Sequence, residues 1–235
     1  ILTEIKQLRE EVKDIANTKV GDTYIFSGTR TNEPAYTNAT VTTTQYTDAA
    51  GNVVGSVEKY AQKDGTDVSL YRNEKGILQA VVKNDPTATP QLTVTDSNGK
   101  LITSTITVGT GAEQIVINPN GTTTLPATST SAIEDKKVQQ YLSGMNAAVN
   151  VEIYNGIQLA VNTTGVKLMF DKLDGVFEQI DKALTGINDV TSSDEISNLL
   201  GGINSAADKS YDTIQGAIDL ILRNRSDVGA KENRV

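Results

Sequence analysis

Residues 1–16 read ILTEIKQLREEVKDIA, and the spacing of their apolar side chains decides the predicted fold. Five apolar residues recur at intervals of four and three: Ile1, Ile5, Leu8, Val12 and Ile15. This spacing is typical of one apolar face of a helix that packs against a partner helix. Gly21 follows as a terminator. The pattern predicts an amphipathic helix over residues 1–19.

The same spacing returns in the C-terminal part of the chain. A first set comprises Leu173, Phe177, Ile180, Leu184 and Ile187. A second set runs from Ile196 to Val228 and predicts a continuous helix about 60 Å long, weakened only at Gly201-Gly202. Two amphipathic chain ends can best bury their apolar faces against each other. We therefore predict an elongated antiparallel rod built from both ends of the chain.

Between about residues 37 and 130 the composition shifts to Thr, Val, Asn and Gly. Asn98-Gly99 separates two strand-like segments, 91–95 and 101–108, and Asn120-Gly121 separates 115–117 from 122–125. Asn-Gly supplies the positive φ angles that a tight primed hairpin turn requires. Several short strands at this spacing predict an antiparallel sandwich or barrel.

The predicted fold class is therefore α+β, an elongated antiparallel α-helical rod domain with an inserted antiparallel β-rich domain. The rod domain is discontinuous, covers residues 1–39 and 141–235, and includes a β-hairpin. The inserted domain covers residues 40–140, an ordinary domain length.

Composition narrows the classes of function. The 235 residues carry a net charge of −8, with no Cys and no His. Nucleic-acid binding needs a clustered basic surface, and the usual zinc sites and thiol or histidine catalysis need the missing residues. We predict that the chain is not an enzyme, with no catalytic residue, metal site, cofactor or small-molecule substrate. Neither nucleic acid nor membrane is an expected partner.

Two weak chemical patterns have simpler interpretations. The acidic pairs Asp171/Asp174 and Asp194/Glu195 occur near helix starts, where carboxylates stabilise the helix dipole. Asp96-x-Asn98-Gly99 is half of a calcium-loop pattern, without the closing Glu. We interpret the first as structural acids and the second as a turn.

Three segments resemble a known family. Residues 225–234 are similar to an Arg-x-x-hydrophobic-Gly-Ala-x-x-Asn-Arg signature that flagellins and hook–filament junction proteins share; its positions here are Arg225, Gly229, Asn233 and Arg234. Residues 15–36 resemble the junction-protein pattern through Tyr24, Phe26, Ser27, Gly28 and Pro34. One extra residue separates Pro34 from the next aromatic, a small departure. Residues 151–170 complete the resemblance, with Asn162 and Gly165 in its motif.

The resemblance to the hook–filament junction proteins of the flagellin superfamily covers about residues 1–36 and 149–235. It implies a structural subunit of the bacterial flagellum that joins the hook to the filament and supports motility. Its partners would be hook-associated protein 1, flagellin and copies of itself in a ring. It implies type III export and an extracellular location at the junction. The family's terminal segments have no counterpart here, so we expect a core fragment that is monomeric alone.

Other functions stay open from the residues alone. A filament flagellin is the nearest alternative, although flagellins carry a different pattern in place of residues 24–34. A secreted adhesin or carbohydrate-binding module would use the β-rich domain, yet no aromatic platform is evident there. A hydrolase is a poor third option, since His and Cys are missing.

Overall fold

The structure is a computed structural model that describes residues 2–109, 113–160, 162, 166–186 and 214–232. The chain divides into two compact units. The first comprises Ile1–Thr37 and Gln139–Val235, and the second comprises Asn38–Val138.

The second unit is built around a six-stranded antiparallel sheet in the order β11-β3-β4-β5-β6-β7. A smaller sheet has the order β10-β9-β8. The strands of the large sheet are β3 (Tyr36–Thr47), β4 (Val53–Ala61), β5 (Asp67–Asn73), β6 (Leu78–Asn84), β7 (Leu92–Asp96) and β11 (Thr128–Gln139). Those of the small sheet are β8 (Ile106–Val108), β9 (Ile115–Ile117) and β10 (Thr123–Thr124).

One face of the large sheet buries Tyr60, Val68 and Leu70, and the opposite face carries a hydrophobic core cluster. It contains Tyr46, Val57, Tyr71, Ala80, Val94, Val108, Ile115 and Ile117. Alternate residues of a strand point to the same face, so Gly55 and Val57 lie on the same side of β4. The short strands β8 and β9 contribute their apolar side chains to the core cluster on this side. Burial raises the pKa of the Tyr71 phenol above its usual value.

Five hairpin loops in this unit share one construction. In each loop a glycine with positive φ donates its N–H to the carbonyl of the residue three positions earlier. The five glycines are Gly51, Gly65, Gly76, Gly99 and Gly121. Among the described residues only glycines have positive φ, so the two residues before each of these five glycines do not. This is a type I turn followed by a glycine bulge.

The predicted primed turns at Asn98-Gly99 and Asn120-Gly121 are therefore wrong in type, although both turns exist. A primed turn would require positive φ at the asparagine, and only the glycines have it. At the first turn the Asp96 carboxylate accepts hydrogen bonds from the N–H groups of Asn98 and Lys100, at 2.8 and 2.9 Å. These bonds favour the longer loop.

The predicted strand over residues 101–108 is also shorter in the structure. Leu101 forms only an isolated bridge to Thr95, and the regular strand begins at Ile106. The chain leaves the large sheet after this bridge, and β8 pairs with β9 in the small sheet. Ile106 and Val108 thereby pack against the core instead of extending the hairpin.

We expect Gly99→Ala to lower the free energy of unfolding of this unit by about 1 kcal/mol, because φ is +77° there and a β-carbon is strained in that region. Space is not the cause, since nothing lies within 4 Å of the added carbon. Gly175→Ala, in a helix and equally open, is the control and should stabilise by up to about 1 kcal/mol. Urea unfolding measures the change in the free energy of unfolding for each variant. Changes of the same sign in the two variants would contradict this explanation.

Asp85 closes the loop after β6 and couples the second unit to pH. Its carboxylate accepts hydrogen bonds from the Lys83 ammonium at 2.9 Å and from the Thr87 hydroxyl and N–H at 2.8 and 3.0 Å. The bond from Lys83, followed by those from Thr87, lowers the pKa of Asp85 to about 2. The carboxylate therefore favours the folded state only while it is ionised.

We expect this contribution to be complete above about pH 4, the pKa of an unfolded aspartate, and to be lost as the pH falls towards about 2. Asp85→Asn should remove this part of the acid sensitivity, so its stability should fall less than that of the unaltered chain through that window, while Asp48, whose pKa is also lowered by its hydrogen bonds with Asn52, keeps its own contribution. Urea midpoints between pH 2 and pH 5 measure it. An Asp85→Asn midpoint that falls as steeply as that of the unaltered chain would contradict the assignment.

The first unit contains three helices and two short hairpins among its described residues. The helices are α1 (Leu2–Ala16), α2 (Val166–Gly186) and α3 (Ile214–Glu232). The hairpins are β1 (Lys19–Val20) with β2 (Thr23–Tyr24), and β12 (Asn150–Tyr154) with β13 (Ile157–Ala160). Helix α1 packs against α2, and α2 packs against α3. Their core is formed by Ala16, Ala35, Tyr36, Val166 and Phe170.

The prediction of an elongated helical rod domain is wrong, and so is the expectation of a flagellin-like helical bundle. The described chain is mostly β-sheet, with only three helices of 15, 21 and 19 residues. Residues 17–36 and 139–160 form loops and short strands, punctuated by glycines with positive φ that no helix accommodates. Residues 196–213 of the long helix predicted from Ile196 to Val228, including Gly201-Gly202, lie outside the described residues.

The predicted apolar face of α1 is only half correct. Ile5 and Val12 are half-buried, whereas Leu8 and Ile15 remain about half exposed, at 47% and 49%. The face that packs against α2 instead includes Arg9 and Lys13, whose ends bind carboxylates on α2. Apolar spacing alone could not reveal this, because long cationic side chains bury their aliphatic stems.

Candidate functional site

Phe26 lies in the segment that resembles the junction-protein pattern, and it packs against a part of the first unit that is distant in sequence. Phe26, which follows β2, contacts Phe170 in α2 edge to face, with ring centroids 5.5 Å apart and an interplanar angle of 68°. Such pairs contribute beyond the area they bury. Tyr24 lies in β2 itself, with the Lys19 ammonium 4.4 Å from its ring centroid. Both aromatic positions of the motif therefore hold the loop after α1 in place.

Gly28 allows this loop to press against the segment that returns from the second unit. Its φ is +60°, and a β-carbon would lie 2.5 Å from both the Gly144 and Met145 carbonyl oxygens. Thr29 donates two hydrogen bonds to the Gly144 carbonyl, from its N–H and its hydroxyl, each at 3.0 Å. Ser27 is fully buried beside this contact. A close approach of two backbones thus requires glycine at position 28.

Two amide side chains fasten the same loop at its ends. Asn17 ends α1, donates to the Tyr36 carbonyl and accepts from the Tyr36 N–H, both at 2.9 Å. Gln140 donates from its side chain to the Pro34 carbonyl at 2.9 Å and from its N–H to the Ala35 carbonyl at 2.8 Å. Gln140 was not among the predicted positions, and nothing in its local sequence distinguished it.

Asn162 ties the start of the β12 hairpin to the segment before α2. Its carboxamide oxygen accepts from the Val149 N–H at 2.7 Å, and its amide donates to the Ala147 carbonyl at 2.8 Å. An aspartate could not supply the donor, so asparagine is the residue that satisfies both groups.

The C-terminal motif lies apart from these contacts. Arg225 is exposed on α3, and Gly229 is half-buried on the same helix with open space where a β-carbon would lie. The remaining predicted motif positions, Gly165, Asn233 and Arg234, lie outside the described residues. The structure therefore brings the residue 24–34 motif against α2, while Arg225 faces solvent.

A cluster of ion pairs holds α1 to α2. Arg9 binds the Asp174 carboxylate through two nitrogens, at 2.6 and 2.8 Å, and reaches Glu178 at 3.4 Å. Lys13, with a side chain only 5% exposed, lies 3.4 Å from Asp174 and 3.0 Å from Glu10. These contacts are structural, but the interpretation of Asp171 and Asp174 as acids at a helix start is wrong, because α2 begins at Val166 and has no acidic residue in its first turn. Asp194 and Glu195 lie outside the described residues.

A second buried carboxylate has cationic partners within the β-rich unit. Glu58 in β4 is 4% exposed, lies 2.7 Å from the Lys136 ammonium of β11 and 3.6 Å from the Arg72 guanidinium of β5. Its position links three strands of one sheet. Tyr46, Tyr60 and Tyr71, the aromatic residues of residues 38–138, are all buried. They form no exposed platform for a sugar ring.

Exposed apolar side chains concentrate on three elements of the first unit, which we call the assembly surface. On the helices they are Leu8, Ile15, Ile218, Ile221, Leu222 and Val228. On the β12–β13 hairpin they are Val151, Ile153, Tyr154 and Ile157, with Tyr154 74% exposed. Single exposed apolar residues are ordinary, but rows of them along amphipathic elements mark interaction sites.

Within the described ranges, no group of three or more acidic, histidine or cysteine residues could hold a metal ion. No described helix is long and apolar enough to cross a membrane. Comparison with known proteins found no family model, no curated protein and no solved structure that matches the chain.

Proposed function

We propose that this chain is a structural subunit of the bacterial flagellum that joins the hook to the filament, of the kind of hook-associated protein 3. It would be exported by the type III apparatus, act outside the cell without catalysis, and support motility. Its partners would be hook-associated protein 1, flagellin and neighbouring copies in a ring.

The exposed apolar side chains of the assembly surface are the observation that supports a role in assembly. Ten large apolar side chains on α1, α3 and the β12–β13 hairpin face solvent in the isolated chain. An exposed apolar side chain gains roughly 1.5–3 kcal/mol when it becomes fully buried, so contact with other subunits would be favourable. A polymeric structure supplies such contacts.

The flagellar part of the proposal rests on the three sequence segments. Phe26, Gly28 and Asn162 lie in two of these segments, and each makes a contact that depends on the type of residue at its position. The proposal does not depend on a helical bundle. It requires only that the first unit present its apolar elements to neighbours.

Deletion of the gene is the direct test. We expect the deletion strain to lose motility and to release unpolymerised flagellin into the medium, because filament growth lacks its starting ring. The unaltered gene and a Gly21→Ala variant should restore motility and stop the release of flagellin, since Gly21 has open space around it. Gly28→Ala should do neither, because its β-carbon would meet backbone atoms. Normal filaments on the deletion strain would refute the proposal.

The adhesin alternative receives no support from the β-rich unit, where the tyrosines are buried. A glycan array probed with the whole chain distinguishes the two functions. Saturable binding to a defined sugar, together with normal filaments after deletion, would favour the adhesin.

A further inference from the structure

Two rows of exposed residues, on different helices of the first unit, have matching spacing and opposite charge. On α1 the row is Leu8, Glu11 and Ile15, and on α3 it is Ile221, Arg225 and Val228. All six residues are exposed. We call them the α1 row and the α3 row.

The spacing of the two rows agrees only when the helices run in opposite directions. From Leu8 the α1 row advances three residues to Glu11 and four more to Ile15. From Val228 the α3 row runs back three residues to Arg225 and four more to Ile221. Each row therefore spans seven residues, about 10.5 Å. In antiparallel contact Leu8 meets Val228, Glu11 meets Arg225, and Ile15 meets Ile221.

A parallel arrangement loses this match. The intervals would then be three and four on α1 against four and three on α3, so the two charges would be displaced by a residue. The antiparallel arrangement places the ion pair between two apolar pairs, which shield it from water. Charge complementarity of this kind fixes the register and the choice of partner.

We propose that α1 of one copy packs antiparallel against α3 of the next copy, with Glu11 paired to Arg225. Both rows face solvent within a single chain, and each row matches the other in spacing and opposite charge, so the partner that fits both is a second copy. The two surfaces differ, which makes the contact head-to-tail. Head-to-tail contacts close into rings or continue as helical arrays. This inference rests on the proposed function and specifies the surface that the ring would use.

Charge reversal tests the pairing in solution. The resemblance alone implied a monomeric fragment, whereas this contact predicts that the chain associates at high concentration. In sedimentation of the whole chain, Glu11→Arg and Arg225→Glu should each weaken this association by at least about tenfold, because like charges then face each other. The double variant, Glu11→Arg with Arg225→Glu, should restore association. Asp22→Arg is the control: it changes an exposed charge by the same amount outside both rows.

Cross-linking tests the register. The chain has no cysteine, so Leu8→Cys combined with Val228→Cys introduces the only thiols. Mild oxidation should give a ladder of covalent multimers, whereas Leu8→Cys with Ser226→Cys, an exposed position outside the α3 row, should not. Thermal melts of each variant establish that the chain remains folded.

The outcomes separate this inference from the proposed function. Association that both single reversals leave unchanged, or that the double variant fails to restore, would overturn the α1–α3 contact. So would a monomeric chain that forms no ladder at the highest concentration. These outcomes do not depend on whether the deletion strain forms filaments, so the gene deletion tests the flagellar assignment separately.

Discussion

Gly28→Ala should lower the free energy of unfolding of the first unit by about 2–5 kcal/mol. Two effects add. At φ +60° an L-residue is strained by about 1–2 kcal/mol, and overpacking of a close contact adds about 1–3 kcal/mol. The added carbon would meet the Gly144 and Met145 carbonyl oxygens at 2.5 Å, and backbone atoms cannot rotate away as a side chain can.

Gly21→Ala is a matched control, because its φ of +61° is nearly the same and nothing lies within 4 Å of the added carbon. It should therefore show the strain alone, about 1–2 kcal/mol. Urea unfolding followed by circular dichroism at 222 nm measures both, since the three described helices lie in the first unit. Equal losses for the two variants would show that the contact with residues 144–145 does not exist in solution.

The comparison of Gly21 and Gly28 also shows what the sequence could predict. Motif resemblance identified Gly28, and turn chemistry accounts for a glycine after an apolar strand. The partner of Gly28 lies more than a hundred residues away, at Gly144, and no local pattern indicates it. Local conformation was predictable, whereas the close approach that makes this glycine irreplaceable was not.

The spacing predicted the helix at Leu2–Ala16, but the elongated rod failed as a prediction for a related reason. Period-four and period-three spacing marks an apolar face correctly, but it does not state which face the fold covers. In α1 the covered face contains Arg9 and Lys13, while Leu8 and Ile15 stay exposed. The spacing was therefore assigned to packing within the chain, and part of it is available for packing between chains.

The β-rich unit was predicted better, because its signals are local. Glycine after a polar turn residue gave the positions of the loops at residues 96–100 and 118–122, and β-branched residues gave the strands around them. The turn type was wrong because the Asp96 carboxylate stabilises a longer loop. Strand order could not be predicted, since it depends on contacts between residues far apart in sequence.

Asp174→Ala should destabilise the α1–α2 contact by about 2–3 kcal/mol. The change removes the carboxylate that binds Arg9 twice and lies 3.4 Å from Lys13, whose side chain is 5% exposed. Breaking a fully buried ion pair costs about 3–5 kcal/mol because a charge stays behind without its partner. Arg9 is 22% exposed and keeps Glu178 at 3.4 Å, which reduces the loss.

Lys6→Met is the control for this experiment, because Lys6 also pairs across the two helices, with Asp181 at 3.4 Å, but is 60% exposed. An exposed pair contributes about 0–1 kcal/mol, so this variant should unfold almost like the unaltered chain. A double variant, Arg9→Met with Asp174→Leu, should recover part of the loss, since the guanidinium that lost its main partner is then absent, while Lys13 keeps Glu10 at 3.0 Å. If Asp174→Ala proves no more harmful than Lys6→Met in urea unfolding at 222 nm, the charged face of α1 does not hold the helices together. The exposed row at Leu8, Glu11 and Ile15 would then be the better candidate for the packed face, and it could not serve a second copy.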